Sequence, residues 1–149
     1  MSESSSFDVT ATWVEELQFV AHAAGSGTTV ALDTTPDVPG ASGGTSPMEM
    51  VLLGLAGCTG MDVISILQKK RQQVTAFHLN IKGLRATEHP KAYTRIEIEY
   101  VVRGHAITPE AVARSIELSV TKYCSVIASL KAEIVTSFRI EPAPDTEIA

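Results

Sequence analysis

Cys58 and Cys124 are the residues of this chain whose type and number point most directly to chemistry. A thiolate attacks the O–O bond of a peroxide and becomes a sulfenic acid, which a second thiol captures as a disulfide. One attacking and one resolving sulfur is the minimum kit. Cys58 lies inside the longest apolar stretch, Met50 to Leu67, and Cys124 lies in Lys122-Tyr123-Cys124-Ser125, 66 positions further on. Contact between them therefore depends on tertiary packing. The competing reading makes both of them core residues, because free cysteine is among the most often buried residue types and packs as a small hydrophobe.

A nucleophilic thiol needs a cation or a helix terminus to favour its ionised form. Asp62, one helical turn beyond Cys58, carries the wrong charge. Lys69-Lys70-Arg71 follow on the same predicted helix, but at ~1.5 Å of rise per residue Arg71 is ~20 Å along the axis from Cys58. An activating cation must then come through folding or from a second subunit, with Arg71 and Arg103 as the candidates. His22, His78, His89 and His105 show no metal-site spacing, and the cysteines lack a third or fourth ligand close in sequence, so no metal is expected. Gly54, Gly57 and Gly60 fall inside a helical pattern and not at a strand-to-helix turn, so they are no dinucleotide fingerprint, and no cofactor is expected.

The elements that must position the two sulfurs are legible from periodicity. Phe7, Val9, Ala11 and Trp13 alternate with polar residues, as do Leu17, Phe19 and Ala21, and then Thr28, Val30 and Leu32. These predict a three-stranded meander with a turn at Gly25-Ser26-Gly27. Residues 34–45, rich in Pro, Gly and Ser, predict an exposed, mobile loop. Ser46-Pro47-Met48-Glu49 combines a capping box with proline at the first helical position and starts a helix running to about Arg71. Its apolar length raises the question of a membrane span. Three glycines and an aspartate fit an anchor poorly, whereas a helix apolar on every side suits the centre of a core that a second chain completes. Phe77 to Ile81 and Ile96 to Val102 predict an antiparallel strand pair joined through Glu88-His89-Pro90. Thr108-Pro109-Glu110 opens a second helix on which Val112, Ile116, Val120, Cys124 and Ile127 form one apolar face. Ile134, Thr136, Phe138 and Ile140 form a last strand before a tail from Pro142. The order is βββ-α-ββ-α-β, an α+β class with antiparallel sheets, and residues 1–6 and 142–149 are expected to fray.

With 149 residues, 44% of them hydrophobic and 19% charged, the chain is long enough for one domain spanning 1–149. A net charge of −5 argues against nucleic acid as a partner. Charge is uneven: residues 1–68 hold eight acids and no Lys or Arg, against nine acids and twelve bases beyond, so −8 faces +3. Met1 to Ser6 shows neither a positive n-region nor an apolar h-region, so a cytoplasmic location is expected, where thiols are kept reduced.

Ser46-Pro47-Met48-Glu49, Leu55-Ala56-Gly57-Cys58 and Lys122-Tyr123-Cys124-Ser125, together with the element order from Phe7 to Glu141, resemble the OsmC-like family of osmotically induced protein C and the organic hydroperoxide resistance proteins. Through Gly57 to Asp62 and Gln68 to Arg71, the chain resembles most the less characterised branch that keeps both cysteines. The resemblance implies an OsmC-like α+β fold, two chains intertwined as a homodimer, and a long central helix buried at their interface. It also implies that Cys58 attacks an organic hydroperoxide, that Cys124 resolves it, and that an unknown thiol reductant restores the pair. In catalytic members an arginine from the N-terminal half and a glutamate directly after the helix-start proline ionise the first thiol. This chain has no arginine before Arg71, and Met48 follows Pro47, the carboxylate being displaced to Glu49. On an ideal helix Glu49 is ~180° around the axis from Cys58, so it serves the helix N-terminus. Glu49, Asp62, Arg71 and Arg103 remain the candidate supporting residues. The expected function is reduction of organic hydroperoxides in oxidative stress defence. The alternative is a non-catalytic homodimer binding a small lipophilic ligand, or a redox sensor.

Overall fold

Alternation of apolar and polar residues produces β1 (Val9–Glu15), β2 (Gln18–Ala23) and β3 (Thr29–Leu32), an antiparallel sheet in the order β1-β2-β3. They belong to a computed structural model that describes residues 4–144 and divides into two units, Met1–Val51 and Leu52–Ala149. In the first unit the meander is as expected, with the β2–β3 turn closed by Gly27, whose φ of +74° suits a residue without Cβ. Every residue of β1 is exposed, Trp13 at 62%. The loop 34–45 is not loose. Asp33, only 2% exposed, accepts bonds from the Thr34 N–H (2.7 Å), the Ser42 N–H (2.6 Å) and the Gly43 N–H (2.9 Å), so one carboxylate ties both ends of the loop together.

The capping box at Ser46 forms as the sequence predicts. The Glu49 N–H donates to Ser46 Oγ and the Ser46 N–H to the Glu49 carboxylate, each at 3.2 Å. Hydrogen bonding of the Glu49 carboxylate to the Ser46 side chain first, and then to the Ser46 N–H, holds that carboxyl below its ordinary range. The helix that this box starts, α1 (Pro47–Lys69), ends two residues earlier than expected. Arg71 is left-handed at φ +57°, and the Gln72 N–H reaches back to the Leu67 carbonyl, closing the helix.

The second unit packs α1 on a sheet in the order β4-β5-β6, formed by β4 (Gln73–Arg85), β5 (Tyr93–His105) and β6 (Glu133–Pro142). β4 and β5 are antiparallel, but β6 runs parallel to β5, which corrects the expectation of antiparallel sheets throughout. Helical chain lies between β5 and β6 and carries the polypeptide back to the starting edge, which is the connection a parallel pair requires. The expected fraying from Pro142 is corrected too: Pro142 pairs with Gly104, and the Ala143 N–H donates to the Gly104 carbonyl. Residues 4–6 are exposed and irregular, while 1–3 and 145–149 lie outside the described residues.

The core joins Leu55, Val63 and Leu67 of α1 to Ile96, Ile98, Tyr100 and Val102 on one face of β5, and to Val112 and Ile116 of α2 (Pro109–Leu118). Within the single chain α1 is buried along one stripe, Leu55-Thr59-Val63-Leu67. Leu53 is 57% exposed and Met61 72%. By length and composition α1 would suffice to cross a membrane, with 22% of its most apolar stretch buried. Its polar Thr59 is hydrogen-bonded into the sheet, an arrangement of a protein core.

Candidate functional site

The sequence places Cys124 on one continuous helix with Val112. Twelve residues at ~100° each would rotate it ~120° away from that seam. The chain corrects this drift by breaking the helix: α2 gives way to a π-helical turn at Ser119–Tyr123, closed by the Cys124 N–H bonding to the Ser119 carbonyl at 2.8 Å. Cys124 is then extended (φ −75°, ψ 105°) and caps a short helix, α3 (Ser125–Ser129), its sulfur accepting from the Ile127 N–H at 3.4 Å. The wider turn returns the thiol to the core, where it is 3% exposed.

There it meets Cys58. The two sulfurs and a carboxylate oxygen of Asp62 all lie within 4.8 Å of one another, and both thiols are free. Cys58, on α1, is half-buried, while Cys124 is buried. Burial pushes the Cys124 thiol up to about 11; the Ile127 N–H opposes this and the neighbouring Cys58 adds to it. Asp62, one helical turn from Cys58 and a candidate supporting residue from the sequence, is the third donor; the 66 positions between the cysteines hid only that Cys124 joins them.

A chain of hydroxyls that the sequence reading missed supports this cluster. Tyr100 Oη and Thr59 Oγ1 are 2.7 Å apart, Thr59 Oγ1 and Ser119 Oγ 2.7 Å, and Ser119 Oγ donates to Asp62 Oδ2 at 2.9 Å. Thr59, Tyr100 and Ser119 are fully buried. Burial pushes the Tyr100 hydroxyl up to about 12, so at neutral pH it is a neutral link that stacks on Phe77 at 6.5 Å. The available signal was the presence of three hydroxyls at positions that periodicity assigns to the core. A buried hydroxyl needs a partner, and these are each other's.

Of the other candidates, Glu49 is engaged at the start of α1. Arg71 stands exposed at the opposite end of that helix. Arg103 lies an odd number of positions from Tyr100 on β5, so it projects from the sheet face opposite to the hydroxyl chain.

The sequence profile described as OsmC-like protein matches residues 40–139. The chain belongs to the OsmC-like family. Among its relatives is Protein YhfA of Escherichia coli strain K12, 40% identical over 124 residues, which cover 82% of this chain and 87% of that one. A crystal structure of a hypothetical protein from Aquifex aeolicus VF5 superposes with a TM-score of 0.83 at 30% identity, covering 95% of this OsmC-like chain and all of that one (100%). An organic hydroperoxide resistance protein from Elizabethkingia anophelis shares the fold at a TM-score of 0.67 and 13% identity, over 96% and 100% of the two chains.

Proposed function

We propose that this OsmC-like protein reduces organic hydroperoxides with Cys58 as nucleophile and Cys124 as resolving thiol. The observation that carries the reading is the meeting of the only two cysteines of the chain, sulfur beside sulfur, within 4.8 Å. Kinship with the organic hydroperoxide resistance proteins supports the substrate class. The roles follow from exposure: the half-buried Cys58 can meet a substrate, and the buried Cys124 cannot.

In the first step Cys58 attacks the distal oxygen of ROOH. The O–O bond breaks, ROH leaves, and Cys58 becomes a sulfenic acid. Cys124 then attacks that sulfur, water leaves, and a disulfide forms, which needs the sulfurs to close to ~2.05 Å. A dithiol reductant returns both thiols and is itself oxidised to a disulfide. Asp62, beside the two sulfurs, carries the charge opposite to the family's guanidinium. It is a base able to receive the Cys58 proton during attack, held in position by Ser119 Oγ. General-base assistance gives roughly 10²–10⁴-fold, so turnover is slower than where a fixed cation keeps the thiolate formed before substrate arrives.

The functional unit in this reading is a homodimer. The exposed apolar side chains of α1, Leu53 and Met61, flank Gly54 and Gly57, where an added Cβ would meet no atom within 4 Å. Such a face suits close approach by a second helix. Sedimentation velocity of the purified protein checks the association state.

Stopped-flow reduction of cumene hydroperoxide in the presence of a dithiol tests the chemistry. Wild type turns over and Cys58→Ser does not, while Cys124→Ser, with the dithiol left out, stops after one turnover with a sulfenic acid that dimedone traps. Equal rates for wild type and Cys58→Ser refute the assignment. The lipophilic-ligand reading has one observation in its favour, an open groove of about 450 Å³ lined by Ile116, Val120 and Phe138. A co-purifying ligand seen in native mass spectra and lost in Phe138→Asp would favour it.

A further inference from the structure

We infer that Cys58, Cys124 and Asp62 form a binding site for one zinc ion, which holds the dithiol in a reduced, reversibly blocked state. Three donor atoms from two separate chain segments converge within 4.8 Å, two of them soft sulfurs and one a carboxylate oxygen. In a tetrahedral site with Zn–S of ~2.3 Å and Zn–O of ~2.0 Å, neighbouring donors are ~3.5–3.8 Å apart, so only a small contraction is needed. Two sulfurs disfavour Ca²⁺ and Mg²⁺, which take oxygen ligands, and suit the borderline-soft Zn²⁺. Three protein ligands leave a fourth position for water or an exchangeable ligand.

The surroundings are those of a supported site. Ser119 Oγ donates to Asp62 Oδ2 and is itself bonded to Thr59, which is bonded to Tyr100. That chain fixes the carboxylate and leaves its other oxygen for a metal, the role outer-shell partners play around ligating carboxylates. The Ile127 N–H points at the Cys124 sulfur and stabilises it as thiolate.

Binding is a proton exchange without electron transfer: Zn²⁺ enters, two thiol protons leave, and two Zn–S bonds and one Zn–O bond form. A hydroperoxide reverses it by oxidation. The two thiolates, ROOH and two protons give the disulfide, ROH and water, and the ion is released. Binding itself stands on the donor geometry and needs no peroxide turnover.

The test is an anaerobic titration of the reduced, chelator-stripped protein with Zn²⁺ against a chromophoric competitor, with metal content measured after gel filtration. The expected result is one ion per chain, weakened at least ~10-fold in each of Cys58→Ser, Cys124→Ser and Asp62→Asn, since loss even of an outer-shell partner costs about 10–100-fold. Cd²⁺ on the wild type adds a readout independent of variant folding, a thiolate-to-metal charge-transfer band with the intensity of two sulfurs. No bound ion, no Cd²⁺ band, or an affinity unchanged in all three variants overturns the site. A protein that binds zinc yet turns over no peroxide refutes the peroxidase alone; one that turns over peroxide and binds no zinc refutes this inference alone.

Discussion

Thr59→Val isolates the hydroxyl chain beneath the cysteines, because valine keeps the shape of threonine and removes only the oxygen. In wild type that oxygen bonds Tyr100 Oη and Ser119 Oγ, each at 2.7 Å, in a fully buried position. Ser119 keeps its bond to Asp62 in the variant, so its loss is small. Tyr100 has no such alternative, and leaving a buried hydroxyl unpaired costs about 1–3 kcal/mol. At a urea m-value of ~2 kcal/mol/M, a loss of ~2 kcal/mol lowers the unfolding midpoint by ~1 M. The assay is urea unfolding followed by far-UV circular dichroism, at one protein concentration and with reductant present, because self-association would make stability concentration-dependent. Tyr100→Phe removes the stranded partner. The double variant is therefore expected to be more stable than the sum of the two single losses by at least ~0.5 kcal/mol. A Thr59→Val midpoint equal to wild type, or strict additivity in the cycle, refutes the view that these hydroxyls satisfy one another.

Other consequences are as direct. Leu67→Ala, at a fully buried position of α1, is expected to cost about 2–5 kcal/mol in the same unfolding assay. Gly104→Ala would drive a Cβ into the Gln73 carbonyl oxygen across the β4–β5 pair, so it should lower stability by ~1–3 kcal/mol or leave the protein insoluble; an unchanged melting temperature contradicts the packing. Arg71→Gly relieves a left-handed backbone, and a gain of up to ~1 kcal/mol with peroxide turnover unaltered is expected; lost turnover would return Arg71 to the list of activating groups. The Asp33 carboxyl is held below 3.8, chiefly by the Ser42 N–H. Its stabilising contribution is thus present above that pH and fades as pH falls through the lowered folded value. Melting temperatures from pH 7 to pH 3 should fall less steeply for Asp33→Asn, and parallel curves would refute the tether.

Patterns within a dozen residues were enough to locate the strands, the capping box that starts α1, and the burial of Cys124, because alternation, capping and helical spacing are local consequences of side-chain chemistry. They were also enough to show that the chain carries two thiols, with no arginine before Arg71 and with Met48 directly after Pro47. The parallel course of β6 was not legible, since strand direction depends on the path of a long connection and not on the strand's own residues. The π-helical turn was hidden for a similar reason: spacing by fours looks helical, and only the demand that Cys124 share a core with Cys58 forces the wider turn. Thr59, Tyr100 and Ser119 counted singly as polar residues at apolar positions, and folding alone made each the partner of another.

The sequence by itself determined which groups the protein has to work with, two thiols and no nearby cation, because composition and local order set chemical type. Tertiary structure decided that those thiols meet, and that they meet beside Asp62, because convergence across 66 positions is a property of packing and is not encoded in any short stretch.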